Sequence, residues 1–269
     1  MLAGIFLLVG AGVLRTSASL AQWDSTFADP GPDAPVLALH VEENDLYVAG
    51  KFNRVGSTES RGIIQWDGTE WSSLNGGVSG MVRALAVGPD GGLYAGGNFD
   101  SAGARPAHNV AVWDGERWES LGTGTDDEVM ALAFDREGQL YAGGQFTYAG
   151  ERAVNGIARW DGETWHGLGS GIQGGVRSMD VGPRNVLYVG GNFQQAGEAA
   201  VNHVARWDGA SWAPMGKGMS YLVSELQVRS DGLVYAVGGF ERAGGQQTGY
   251  VAWWNGEKWQ PLGNGLDDW

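Results

Sequence analysis

The stretch LYAGGNFDSAGARPAHNVAVWDGERWESL, residues 93–121, decides the fold. It opens on a short apolar run, Leu93 to Gly97, that closes in a glycine pair. A second run, Asn109 to Trp113, stops at Asp114-Gly115, and a third, Trp118 to Leu121, begins just beyond. Asp-Gly between two such runs signals a tight hairpin, because the turn needs positive φ and glycine adopts it without steric penalty. Upstream, Val82 to Val87 is another apolar run, joined to Leu93 through Pro89-Asp90-Gly91. Four short strands, named a to d here, follow one another as an antiparallel meander.

The pattern recurs with a period of 47 residues. Tyr47, Tyr94, Tyr141, Tyr188 and Tyr235 keep this spacing, and so do Phe52, Phe99, Phe146, Phe193 and Phe240. Two tryptophan series keep it as well: Trp66, Trp113, Trp160, Trp207, Trp254 and Trp71, Trp118, Trp165, Trp212, Trp259. These account for ten of the 13 tryptophans, which makes them architecture before anything else. The c–d turn is Asp-Gly in four copies and Asn255-Gly256 in the fifth. A four-stranded sheet cannot bury both faces alone, and radial stacking of copies solves this. The expectation is an all-β chain, a β-propeller of five four-stranded blades. A β-solenoid is the rival, but its coils are shorter and need no tryptophan pair per turn.

Composition agrees. The 269 residues include 47 glycines and no cysteine. Disulfides, thiolate metal sites and a cysteine nucleophile are excluded. The net charge of −14 disfavours nucleic acid, whose phosphates need Lys and Arg. Leu2 to Leu14 is an apolar run too short for a comfortable membrane span, followed by Ser19-Leu20-Ala21, a small-x-small cleavage pattern. Residues 1–21 are therefore expected to be a signal peptide, although no Lys or Arg precedes the run. An uncleaved anchor is the alternative. Residues 22–269 are expected to form one propeller domain, monomeric and without a further membrane span, secreted or at the cell surface.

The string L-Y-x-G-G-x-F…A-G…N-x-(V/I)-A-x-W-D-G-x-x-W-x-x-L-G-x-G resembles kelch and galactose-oxidase-central-domain-like propeller repeats. It looks closest to repeats of bacterial surface proteins and fungal cortical polarity-marker proteins. The resemblance covers residues 23 to 266 and implies an extracellular propeller with a binding or scaffolding role. The copper enzyme of that wider group uses Tyr, His and Cys ligands. This chain has no Cys, so that activity does not carry over.

Repeats begin near residues 36, 82, 129, 176 and 223. A sixth d-like strand is counted if Trp23 to Phe27 is included. Either five blades form a complete ring with a spare strand, or the chain is a fragment of a larger ring. In both cases the a–b and c–d turns share one end, and the longer b–c and d–a loops share the other. Long, varied loops on a rigid scaffold are where binding concentrates. The residues that break the period there are Lys51, Asn98, Gln145 and Asn192 at the exit of strand b. Arg105, His108, Tyr148, Arg152, Gln195, His203 and Arg242 follow in the b–c loops. His108 and His203 read as nearly equivalent loop positions.

No catalytic motif survives inspection. The four histidines form no metal motif, and G-x-G-x-x-G at 169–174 lacks the helix that its phosphate chemistry requires. No cofactor is expected, although acidic loops such as Asp126-Asp127 offer oxygen ligands of the kind Ca2+ takes. The expected function is non-catalytic binding of a protein or glycan through the b–c/d–a face. A lectin with one site per blade and a polysaccharide-acting enzyme at the channel mouth are the alternatives.

Overall fold

The computed structural model describes residues 31–268. The leader and the Trp23–Phe27 strand expected above lie outside the described residues. Within them the chain folds as a β-propeller of five four-stranded antiparallel sheets, each in the order a-b-c-d. Strand a spans Val36–Glu42, Met81–Val87, Val129–Phe134, Ile172–Val181 and Val223–Val228 in blades 1 to 5. Strand b spans Asp45–Gly50, Leu93–Asn98, Leu140–Gly144, Leu187–Ala196 and Val234–Gly238. Strand c spans Ile63–Trp66, Val110–Trp113, Ile157–Trp160, Val204–Trp207 and Val251–Trp254. Strand d spans Trp71–Ser73, Trp118–Ser120, Trp165–Gly167, Trp212–Pro214 and Trp259–Pro261.

The periodic residues build the seams between blades. In each blade the two tryptophans pair directly across the c–d hairpin, as Trp66 with Trp71 and Trp160 with Trp165. Their rings are tilted, with centroids 5.1 to 5.6 Å apart. The second indole also reaches back one blade. Nε1–H of Trp118, Trp165, Trp212 and Trp259 donates to the carbonyls of Leu74, Leu121, Leu168 and Met215 at 2.8–2.9 Å. Blades 2 to 5 are thus each pinned to the last turn of the one before by a buried hydrogen bond inside an apolar seam.

The glycine pair that closes strand b performs two different tasks. The first glycine faces the next blade. A Cβ on Gly96, Gly143 or Gly190 would come within 2.6 Å of Cγ1 of Val129, Val176 or Val223. The second faces its own blade, where strand a carries a β-bulge. A Cβ on Gly97, Gly144 or Gly191 would lie 1.9–2.1 Å from a strand-a backbone oxygen. The bulge adds one unpaired residue to strand a, between Val82 and Ala84 in blade 2 and at the matching place in every blade. The added residues Leu37, Arg83, Met130 and Arg177 line the central channel.

The c–d turns hold themselves. Asp67, Asp114, Asp161, Asp208 and Asn255 each accept two backbone N–H bonds through Oδ1, from the residues two and three positions on. The following glycine has φ between 96° and 102° in every copy. Hydrogen bonds from Thr69, and from the N–H groups of Arg117, Thr164 and Ser211, depress the pKa values of the four carboxyls. A carboxylate with a folded pKa below its unfolded value stabilises the fold above that unfolded value. The contribution is lost as pH falls through the folded value. Replacing all four with Asn should leave the melting temperature near about pH 7 almost unchanged, because Asn255 already caps its turn as an amide. The drop in melting temperature on going to about pH 3 should become smaller than in the wild type. An unchanged acid limb would contradict this account.

The b–c loops are more ordered than their sequence suggested. Each carries a small hairpin or strand pair: Arg54–Val55 with Thr58–Glu59, Ser101–Ala102 with Arg105–Pro106, Tyr148–Ala149 with Arg152–Ala153, and Arg242–Ala243 with Gln246–Gln247. In blade 4 the long strand b pairs with Ala199–Ala200 instead. The repeated Gly56, Gly103, Gly150, Gly197 and Gly244, all at φ 56–61°, turn these hairpins. The preceding d–a loop latches them. Oδ1 of Asp33, Oγ of Ser79 and Oδ1 of Asp126 each accept both amides that open the hairpin, and Oγ of Ser220 accepts the Arg242 amide.

Inner strands pack consecutively, blade 1 on 2, 2 on 3, 3 on 4 and 4 on 5. Among the described residues no packing of that extent joins blade 5 to blade 1. The two free faces explain why. On blade 1, Leu39 and Val41 remain 38% and 58% exposed, whereas Leu132, Met179 and Leu226 at the Leu39 position are buried. On blade 5, Val237 stands where the other blades have Gly or Ala49, the small residues against which the valine of the next blade packs.

Candidate functional site

The b–c/d–a end gathers most of the expected residues. Lys51, Asn98, Gln145 and Asn192 share one register, each just past the tight glycine of strand b. The backbone N–H groups of Lys51 and Gln145 donate to the carbonyls of Pro35 and Glu128, while Asn98 and Asn192 pair with Met81 and Gly175. All four side chains lie at the rim of the b–c/d–a face, exposed and, among the described residues, with no side-chain partner. Tyr148, Arg152 and Arg242 also stand exposed on the hairpins. Tyr148 is 50% exposed.

Other expected residues are engaged elsewhere. Nη1 of Arg105 lies 2.7 Å from Oε2 of Glu119, so its guanidinium is held against the outer strand d. Nε2 of Gln195 donates to the carbonyl of Gly197 within its own hairpin. His108 is exposed, with Nδ1 3.8 Å from Oδ1 of Asp100. His203 departs from the sequence reading. It is not the counterpart of His108 but of Asn109, one residue on, and it adopts φ 62° at a position where other blades place Gly62, Asn109, Gly156 and Tyr250. Its side chain is buried beside Tyr221, and burial depresses its pKa. Asp126, considered above as a Ca2+ ligand, turns its carboxylate to the Thr147 and Tyr148 amides and the Thr147 hydroxyl. Burial opposes its ionisation, but these bonds outweigh it and lower the pKa.

The central channel, of about 370 Å³, is lined by the a strands, and charged and hydroxyl groups there bond to one another. Arg83 is paired with the buried carboxylate of Glu128 on the next blade. Ser178 Oγ donates to Glu225 at 2.5 Å, across the seam between blades 4 and 5. Desolvation of their carboxyls raises the pKa values of Glu225 and Asp180 at that seam. Sequence reasoning missed this polar seam. Its only signal is the replacement of alanine by Ser178, Asp180, Glu225 and Gln227 in the last two copies.

Stacked four-stranded blades around a channel, with hairpin loops gathered at one end, define a β-propeller repeat protein. The family model of the Rax2 C-terminal beta propeller domain matches residues 119–268, and the chain belongs to that family. No curated protein matches it significantly. Among solved structures it is similar to the WD40 repeats of RRP9, with TM-score 0.60 and 17% identity over 87% of this chain and 67% of that one. It is similar to U3-55K with TM-score 0.58 and 17% identity over 84% of this chain and 64% of that one. The extracellular domain of the putative one component system BT4673 from B. thetaiotaomicron gives TM-score 0.55 and 13% identity, covering 87% of this chain but 29% of that one. YCF48 bound to D1 peptide gives 0.51 and 16% identity over 86% of this chain and 82% of that one. The chain therefore spans about two thirds of the first two relatives and under a third of the bacterial extracellular domain. At these identities the likeness concerns the fold.

Proposed function

We propose that the chain is a non-catalytic binding module of the cell exterior, taking a protein or glycan ligand on its b–c/d–a face. The observation that carries this reading is an asymmetry between the two ends. At the c–d end the conserved-register polar residues are consumed by their own turns, five times over. At the other end Lys51, Asn98, Gln145 and Asn192 differ from copy to copy, project from a rigid rim and satisfy no internal bond. Polar side chains without internal partners on a fixed scaffold are available to a ligand at little entropic cost. The extracellular domain of a putative one component system and YCF48 with its bound D1 peptide, both of similar fold, support this reading.

The test uses two multiple variants. One changes Lys51, Asn98, Gln145 and Asn192 to Ala, and the other changes Glu116, Glu163 and Glu257 to Ala at the opposite end. Binding is read by pull-down from the surface fraction of the native host and on a glycan array. Loss with the first variant and retention with the second is the expected result. Equal binding by both would place the ligand elsewhere and sink the proposal.

A further inference from the structure

The seam between blades 3 and 4 differs from every other seam at the loop end. The residue before the first valine of strand a is Met81, Glu128 and Leu222 in blades 2, 3 and 5. Glu128 and Leu222 are buried there and fill their seams. Blade 4 has Gly175 instead, preceded by Gly174 at φ 132°. A Cβ on Gly175 would meet only Cγ of Gln145, at 3.6 Å, so the space a side chain occupies in the other blades is open. A cavity of about 340 Å³ results.

The groups around this cavity are of one kind. Gln145 and Gln173 are exposed, and their carboxamides have no partner among the described residues. Asn155 uses Nδ2 on the Ser170 carbonyl at 3.0 Å, which leaves Oδ1 free to accept. Thr147 donates its hydroxyl proton to Asp126 and so presents its oxygen as an acceptor. Phe146 and Ile172 lie beneath, fully buried, and close the floor. No Lys, Arg, Asp or Glu lines it. An anion would meet no cation here, and a cation would meet no carboxylate. Carboxamides offer both donors and acceptors, which matches a ligand whose groups are hydroxyls that do both. The volume lies at the small end of ligand pockets, the range of a compact ring and not of an extended chain.

We infer that the open seam between blades 3 and 4 is a single binding site for one neutral pyranose unit, held by Gln145, Gln173, Asn155 and Thr147. This rests on the binding-module reading above and narrows it to a neutral glycan at one place. Because only blade 4 carries the Gly174-Gly175 pair, the chain has one such site and not one per blade.

The test is calorimetric titration with oligosaccharides ending in glucose, mannose, galactose or N-acetylglucosamine, with a uronate-terminated set as the charged arm. The expected result is binding of at least one neutral terminus, one per chain. Gly175→Leu copies the residue of blade 5, and Gly175 needs no positive φ, so this variant should melt as the wild type does. It should nevertheless weaken binding about tenfold or more. Gln145→Ala combined with Gln173→Ala should weaken it as well. Four outcomes would overturn the inference: no binding of any neutral terminus, preference for uronates, a stoichiometry near one per blade, or full binding by Gly175→Leu. If saccharides fail while the rim variant still loses a protein ligand in the pull-down, only this inference falls. If both fail, the binding-module reading falls with it.

Discussion

Gly144→Ala is expected to destabilise the protein by about 3 kcal/mol, the upper end of what overpacking a closed core position costs. The new Cβ would stand 2.0 Å from the carbonyl oxygen of Glu128 and 3.1 Å from Cα of Val129. Both are backbone atoms of the bulged strand a, so neither can rotate aside. The strand must separate from its neighbour or lose the bulge that sets Met130 into the channel. Gly143→Ala is the informative companion. Its nearest obstacles are side-chain atoms, Cγ1 of Val176 at 2.6 Å and Sδ of Met179 at 2.9 Å. Blade 1 already accommodates Ala49 at this position, fully buried. Gly143→Ala should therefore cost clearly less than Gly144→Ala. Urea unfolding followed by tryptophan fluorescence measures both. Equal losses, or a loss under about 0.5 kcal/mol for Gly144→Ala, would refute the assignment of the two glycines to different neighbours.

Trp165→Ala should cost about 3–5 kcal/mol, the usual range for removing a large buried aromatic side chain. Trp165 is 2% exposed, packs tilted against Trp160 with ring centroids 5.2 Å apart and donates to the Leu121 carbonyl at 2.9 Å. Trp165→Phe separates the contributions. It keeps most of the apolar contact but leaves the Leu121 carbonyl without its donor, for a loss of about 1–3 kcal/mol. Trp71, only partly buried in blade 1, should tolerate the same change better. If Trp71→Ala and Trp165→Ala prove equally costly, the seam does not supply the stabilisation. Because neighbouring blades interact mainly through their seams, loss at Trp165 should also separate unfolding of blades 1–2 from the rest.

Much of this architecture was legible before any coordinates. Asp-Gly turns, tryptophan spacing and the strand-b motif predict four strands per repeat, and the structure places them within a residue or two of the expected limits except in blade 4, where strands a and b run on to Ile172 and Ala196. The hairpins of the b–c loops were not legible as strands, because their strands are two residues long and pair with segments that carry no strand signal of their own. The Ala-Gly step at their centre was a turn signal without enough apolar residues around it to read as a strand. The rim register of Lys51, Asn98, Gln145 and Asn192 was visible from the period alone. The burial of His203 was not, since a one-residue offset from His108 moves a side chain from the surface into the seam.

The amino-acid sequence by itself determined the repeat, the strand order within a blade and the end at which variable loops gather, because each depends on local turn chemistry and on spacing along the chain. Only the tertiary structure decided what each glycine faces, that blade 5 presents Val237 where other blades present Gly or Ala, and that Gly175 leaves one seam open. Those properties belong to contacts between residues about one repeat apart, where a missing or added methyl group is felt by a neighbour that the linear order does not name.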